Sequence, residues 1–187
     1  MNEVRGKSPS AISRTRLEFL FDGIFAIAMT ILVLELKVPE LVDRRSVGEL
    51  ASALHHHAST FGSYLLSFLM LGMFWYRHNQ HYPHYQTITR VMLGLHFVQL
   101  AAAAFFPFCA ALFGRYPTNN LGSVIYIGCV LVYMSAALAN WVVARRSGAL
   151  GCEVTDAEYQ RIRNRTMRGV VIIFALFGFF LSRILAG

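Results

Sequence analysis

Charged side chains are scarce in this chain: Asp, Glu, Lys and Arg make up 14% of its 187 residues, against roughly a quarter in soluble domains. With 56% hydrophobic residues and a mean hydropathy of +0.48, that shortage excludes an ordinary soluble fold. Cysteine is nearly absent as well. Of the three present, Cys109 and Cys129 fall inside apolar runs and Cys152 in a polar connection, so a disulfide framework is excluded and all three read as packing residues. Catalytic signatures are missing: there is no Ser/His/Asp set, His-Glu-x-x-His, phosphate-binding loop or pair of intramembrane carboxylates, and the chain does not read as an enzyme. It also lacks Thr-Val-Gly-Tyr-Gly, the glycine-rich carbonyl filter of many potassium channels. The first apolar run is too long for a signal peptide and has no small-residue cleavage site, so it is expected to remain in the mature protein.

What the chain does have is long apolar runs, at 17–36, 61–76, 91–113, 121–144 and 169–186. Each approaches the ~20 helical residues that cross a hydrocarbon core, and the second reaches that length only by extending back to Ala58. The expected fold is an all-α integral membrane protein with five to six transmembrane helices. Residues 1–15 read as a disordered cytoplasmic tail and 16–187 as one membrane domain, since no loop is long enough for a second core.

The net charge of +7 points to nucleic acid only until its distribution is seen. Arg5, Lys7, Arg14 and Arg16 precede the first run; Arg77 and Arg90 bracket the connection after the second; Arg145, Arg146, Arg161, Arg163, Arg165 and Arg168 lie between the fourth and fifth. Twelve of the seventeen bases thus fall on one side of the membrane, and only Lys37, Arg44, Arg45 and Arg115 on the other. By the positive-inside rule the N-terminus is cytoplasmic, and the Arg161 to Arg168 cluster reads as topogenic charge with no nucleic-acid partner. The expected location is a bacterial inner membrane.

Local signals punctuate the runs. Val38-Pro39 stops the first helix, Ser46 opens a capped amphipathic turn leading into the second span, and Thr155-Asp156-Ala157-Glu158 fits a capping box starting a polar helix that leads into the last span. The turn at 116–120 predicts an antiparallel hairpin of the third and fourth helices. Ala101 to Ala104, and Ser135, Ala136, Ala137 and Ala139, supply small faces for close packing, and Pro107 is expected to kink the third span.

Asp22 stands inside the first apolar run, where an ionisable group costs at least ~2.5 kcal/mol and needs a partner; Arg16 is the nearest base. At about 100° per residue, Ile27, Thr30, Ile31 and Leu34 share a stripe that Asp22 does not. Arg16, Asp22-Gly23, the Phe-Ala-Ile that follows, Thr30 and the Leu-Glu end resemble the first-helix signature of the lysosomal transmembrane potassium channel family and its bacterial relatives, approximately Arg-x-x-x-Phe-Ser-Asp-Gly-x-Phe-Ala-Ile-Ala-x-Thr-x-Leu-x-Leu-Glu. Phe74-Trp75-Tyr76-Arg77-His78 is similar to the family's second helix, with a tryptophan followed three residues later by histidine.

The resemblance implies a homotetrameric, potassium-permeable cation channel whose four first helices surround the pore, without a carbonyl filter or any cofactor. Carried over by position, Ile27, Thr30 and Leu34 would line the pore as apolar and hydroxyl rings that gate and select, with Ile31 beside them on the same stripe. Arg16, Asp22, Trp75 and His78 would brace the helix from behind. Its partners are then other copies of itself, the lipid bilayer and permeant potassium or other monovalent cations. Two features depart from the pattern: Leu20-Phe21 replaces Phe-Ser before the acid, removing a hydroxyl near Asp22, and five runs are found where the family has six helices.

The histidines raise other readings. His55, His56 and His57 are consecutive, and His78, His81 and His84 recur at intervals of three, but Pro83 interrupts the second set and neither has a standard ligand spacing, so no metal site is expected. His96 and Gln99, one turn apart, read as an interhelical hydrogen-bonding pair. The rival functions are a proton or divalent-metal carrier using Asp22 and the histidines, and a non-conducting membrane scaffold.

Overall fold

Helix α1 (Arg14–Ile31) begins where the extended Ser13 accepts a hydrogen bond from the Arg16 amide, satisfying one of the N–H groups that a helix start leaves free. A 3₁₀ turn, Leu32–Glu35, carries the same run to its end before Pro39. The computed structural model describes residues 13–186. Positions 1–12 of the expected tail lie outside the described residues, while Arg14 and Thr15 are already helical.

Helix α2 (Val47–His56) is the capped amphipathic segment expected from Ser46, whose hydroxyl accepts from the Glu49 amide at 3.2 Å. The Glu49 carboxylate turns back to accept from the Val42 and Asp43 amides at 2.7 and 3.0 Å, folding the preceding loop onto the helix start. Helix α3 (Ala58–His81) follows, with a 3₁₀ turn at Tyr82–His84; then come α4 (Arg90–Arg115), α5 (Asn120–Arg146) and α6 (Asp156–Leu185). Thr89, Asn119 and Thr155 each cap the following helix with a side-chain oxygen.

Among the described residues five helices are long and apolar enough to cross a membrane: Arg14–Glu35, Ala58–His84, Arg90–Arg115, Asn120–Arg146 and Asp156–Leu185. The second span is longer than the 61–76 run because the helix continues through Arg77, His78 and His81, polar residues that end the apolar reading without ending the backbone hydrogen bonding. The capping box at Thr155 opens α6 directly, so the polar helix and the last span are one continuous rod. Helix α4 likewise runs unbroken through Pro107.

Contacts between connections fix which helix ends lie together. The Tyr82 hydroxyl donates to the Arg14 carbonyl at 2.6 Å. Gln86 N bonds Ala149 O at 2.8 Å and Gly151 N bonds His84 O at 2.9 Å, joining the α3–α4 and α5–α6 connections. At the other end Glu35 pairs with Arg115 at 3.7 Å. Spans therefore alternate in direction, as five crossings joined by short connections require.

The α4–α5 hairpin makes the most extensive pairing, α6 lies on α5, and α1 lies against α3 and α4. With no hydrophobic driving force between helices in lipid, association rests on close packing and polar contacts. The Tyr133 ring stacks on Phe74 at 4.2 Å, Cys129 lies buried with its thiol on Ala102 O, and the Ser63 hydroxyl donates to Ala110 O at 2.7 Å. Gly114 completes the α3–α4 crossing: a Cβ there would lie 2.8 Å from Ser63 Cβ and 3.3 Å from Thr60 Cα. Gly114→Ala should thus cost about 1–3 kcal/mol through overpacking. The check is the temperature at which the purified protein loses its monodisperse chromatographic peak, and an unshifted temperature would show that the crossing relaxes freely.

Candidate functional site

Helix α1 has two dissimilar faces. Leu17, Phe21, Phe25, Ala28 and Leu32 are buried against the subunit. The opposite face carries Ile27, 59% exposed, Leu34, 72% exposed, and the exposed Thr30 and Ile31. The stripe grouped from the sequence is thus a single unpacked face of the subunit. The Thr30 hydroxyl sits 2.8 Å from Ile27 O and 3.0 Å from Ala26 O, so its proton is committed to the backbone and its lone pairs remain available as acceptors.

Behind that face, α1 is held by aromatic and polar contacts. Phe21, which takes the place of the family's serine, lies flat on His78, with ring centroids 3.6 Å apart and planes 6° from parallel. Phe25 meets Tyr133 edge-on at 6.0 Å. Trp75 Nε1 donates to Asp22 Oδ1 at 2.8 Å, giving the acid a partner on α3. Arg16 is not that partner: it is exposed and, among the described residues, makes no ion pair, because it lies on the unpacked side of α1, away from the acid. Of the four residues grouped as a brace, the structure brings Asp22 to Trp75, sets His78 against Phe21 and leaves Arg16 apart.

A buried polar cluster lies deeper. His96 Nδ1 and Gln99 Oε1 are 3.1 Å apart on α4, and Asn140 Nδ2 of α5 reaches both, at 3.2 and 3.1 Å. The pair expected from the sequence is interhelical through Asn140, which sequence reasoning missed. Its signal was visible, a lone amide among Ala139, Trp141 and other apolar neighbours of a membrane span. Around the cluster stand Tyr82, Tyr85 and Trp141, and Arg77 donates to the Thr166 hydroxyl at 2.8 Å. Burial pushes the Tyr85 phenol well above its ordinary pKa, so it stays neutral. Among the described residues no group of three or more ligand-type side chains could hold a metal ion.

Residues 16–107 match the model of a family described as the endosomal/lysosomal potassium channel TMEM175. A potassium channel of Streptomyces collinus is 30% identical over 151 residues, covering 78% of this chain and 71% of that protein. The chain belongs to the TMEM175 family. The human endosomal/lysosomal proton channel TMEM175 is 30% identical over 143 residues, and this chain spans only 28% of its length. The crystal structure of a TMEM175 homologue from Chamaesiphon minutus, described as a lysosomal potassium-selective channel homologue, superposes with a TM-score of 0.78 at 24% identity, covering 90% of this chain and 87% of that one. The TMEM175 family is one of ion channels, so the chain is an integral membrane channel protein and not an enzyme.

The Asp22–Trp75 bond joins side chains of two different helices, and such a hydrogen bond contributes about 0.5–1.5 kcal/mol. Trp75→Phe and Asp22→Asn should each destabilise the protein, and the double variant should lose less than their sum. Denaturation of the four proteins in one detergent measures this; strict additivity would mean that the two side chains do not interact in solution.

Proposed function

We propose that the chain is a subunit of a homotetrameric, potassium-permeable channel whose pore is lined by α1, with Ile27, Thr30, Ile31 and Leu34 facing the axis. The observation that carries this reading is the unpacked stripe of α1, backed along its whole length by a packed face. The potassium-channel relative of S. collinus supports the ion assigned. Four copies of Ile27 or Leu34 around an axis form a narrow apolar constriction that dewets, and a small dilation rehydrates it. The Thr30 lone pairs offer a ring of weak oxygen acceptors, which favours potassium, the more cheaply dehydrated ion, over sodium. Asp22, Trp75 and His78 lie behind this wall and hold α1 in place rather than conduct. Proton permeation is a second reading, favoured by the name of the human relative; a proton gradient across the same liposomes distinguishes it.

The charge asymmetry further supports a cytoplasmic N-terminus in a bacterial inner membrane. Cys152, the exposed thiol in the α5–α6 connection, reports on this, since Cys109 and Cys129 are buried. A membrane-impermeant maleimide should label Cys152 in inside-out vesicles and spare it in intact spheroplasts. The reverse pattern would invert the topology.

Pore lining is tested by bi-ionic reversal potentials and flux in reconstituted liposomes. Ile27→Asn and Leu34→Ala should raise basal conductance because a hydrated constriction no longer dewets. Thr30→Ala should lower preference for potassium over sodium and leave a current, while Val33→Ala and Met29→Leu, off the stripe, should behave as wild type. Stripe variants that all match a conducting wild type would assign the pore to another helix.

A further inference from the structure

The buried cluster behind α1 borders a cavity of about 30 Å³, lined by residues that include His78, His96, Gln99 and Asn140. That is room for about two waters, each needing some 10–15 Å³ and two to four polar partners. Three polar atoms of the lining residues are buried without a protein hydrogen-bond partner among the described residues: His78 Nε2, His96 Nε2 and Asn140 Oδ1. His96 and Asn140 are each 1% exposed and His78 is buried as well, so a polar atom left unpartnered there carries an uncompensated desolvation cost.

The hydrogen-bonding roles follow from the contacts. Gln99 Oε1 is an acceptor with two lone pairs, 3.1 Å from His96 Nδ1 and 3.1 Å from Asn140 Nδ2. With the His96 proton on Nδ1 both nitrogens donate to it, and the 3.2 Å approach of Asn140 Nδ2 to His96 Nδ1 is that of two donors sharing one acceptor. Turning the Gln99 amide around would set its NH₂ against the Asn140 NH₂. Among the lining residues there is no carboxylate and there is one base, Arg77, so a neutral imidazole is the form that fits His96. With its proton on Nδ1, its Nε2 is a bare acceptor, as is Asn140 Oδ1. His78 Nε2, on a ring whose centroid is 5.8 Å from that of His96 and nearly perpendicular to it, can supply a donor.

We propose that this cavity is a built water site, in which ordered water donates to His96 Nε2 and Asn140 Oδ1 and accepts from His78 Nε2. Water is the ligand whose two donors and acceptor lone pairs complement this set. A small anion is disfavoured by the two bare acceptors, and a cation by the neighbouring Arg77. The bound water joins α3 to α4 and α5, and it fixes the edge of the imidazole whose face supports Phe21.

Water-edited magic-angle-spinning NMR of ¹⁵N-histidine-labelled protein in lipid tests this, with His55→Gln, His56→Gln and His57→Gln removing the consecutive histidines that precede α3. The expected result is early water magnetisation at Nε2 of both His78 and His96, with the His96 proton on Nδ1. In Asn140→Leu, which removes one acceptor and fills the cavity, the water signal at His96 Nε2 should be lost. Absence of water transfer to both nitrogens in the parent protein, a His96 proton on Nε2, or a doubly protonated His96 would each overturn the site. The parent spectrum decides the matter even where Asn140→Leu fails to fold.

Discussion

The position of α1 depends on one stacked pair, the Phe21 ring lying on the His78 imidazole at 3.6 Å. Such a pair is worth roughly 0.5–1.5 kcal/mol beyond its buried area. Its geometric effect is larger than its energy. A flat contact restrains the rotation of α1 about its own axis, which apolar packing alone restrains weakly, because lipid tails satisfy apolar side chains as well as another helix does. Further contacts hold the helix along its length: Tyr82 on the Arg14 carbonyl near its start, Trp75 on Asp22 one residue beyond the stack, and Tyr133 on Phe25 one turn further.

These contacts explain how the chain dispenses with the serine expected before Asp22. A hydroxyl there would add one hydrogen bond to the polar group around the acid. Phe21 instead fills the space with a fully buried ring, which packs against His78 and meets His96 edge-on at 5.4 Å. The acid keeps a donor from Trp75, so its stabilisation does not pass through Phe21. The contacts are thereby divided, with shape supplied at position 21 and a hydrogen bond at position 22.

Much of this was legible in the sequence. The five spans, the Ser46 and Thr155 caps and the hairpin at 116–120 rest on local rules of hydropathy and capping, and the structure contains each. The two-faced character of α1 was legible for the same reason, as period alone determines which residues share a side. What escaped was long-range. Arg16 is near Asp22 in sequence but points elsewhere, whereas Trp75, 53 residues away, is the partner. Asn140 lies 44 residues from His96, and no local pattern links an amide on one span to an imidazole on another. The pairing of the α3–α4 and α5–α6 connections through Tyr85 and Leu150 was hidden for the same reason.

In the channel proposed above, a pore wall of isoleucine, leucine and threonine has little chemistry of its own, and this determines what the rest of the subunit must supply. A carbonyl filter holds ions by strong dipoles and tolerates some movement of its scaffold. An apolar constriction acts through its radius, and dewetting is steep in radius. Precision must then come from behind the wall. The back of α1 accordingly carries the subunit's dense aromatic packing and the Asp22–Trp75 bond, with the buried amide and imidazole cluster directly behind His78, while its front from Ile27 to Leu34 is left to apolar side chains and the Thr30 hydroxyl. In the proposed pore, placing Asp22 and His78 off the stripe keeps these ionisable groups away from the Ile27 to Leu34 constriction, where charge would hydrate the lining and remove the barrier.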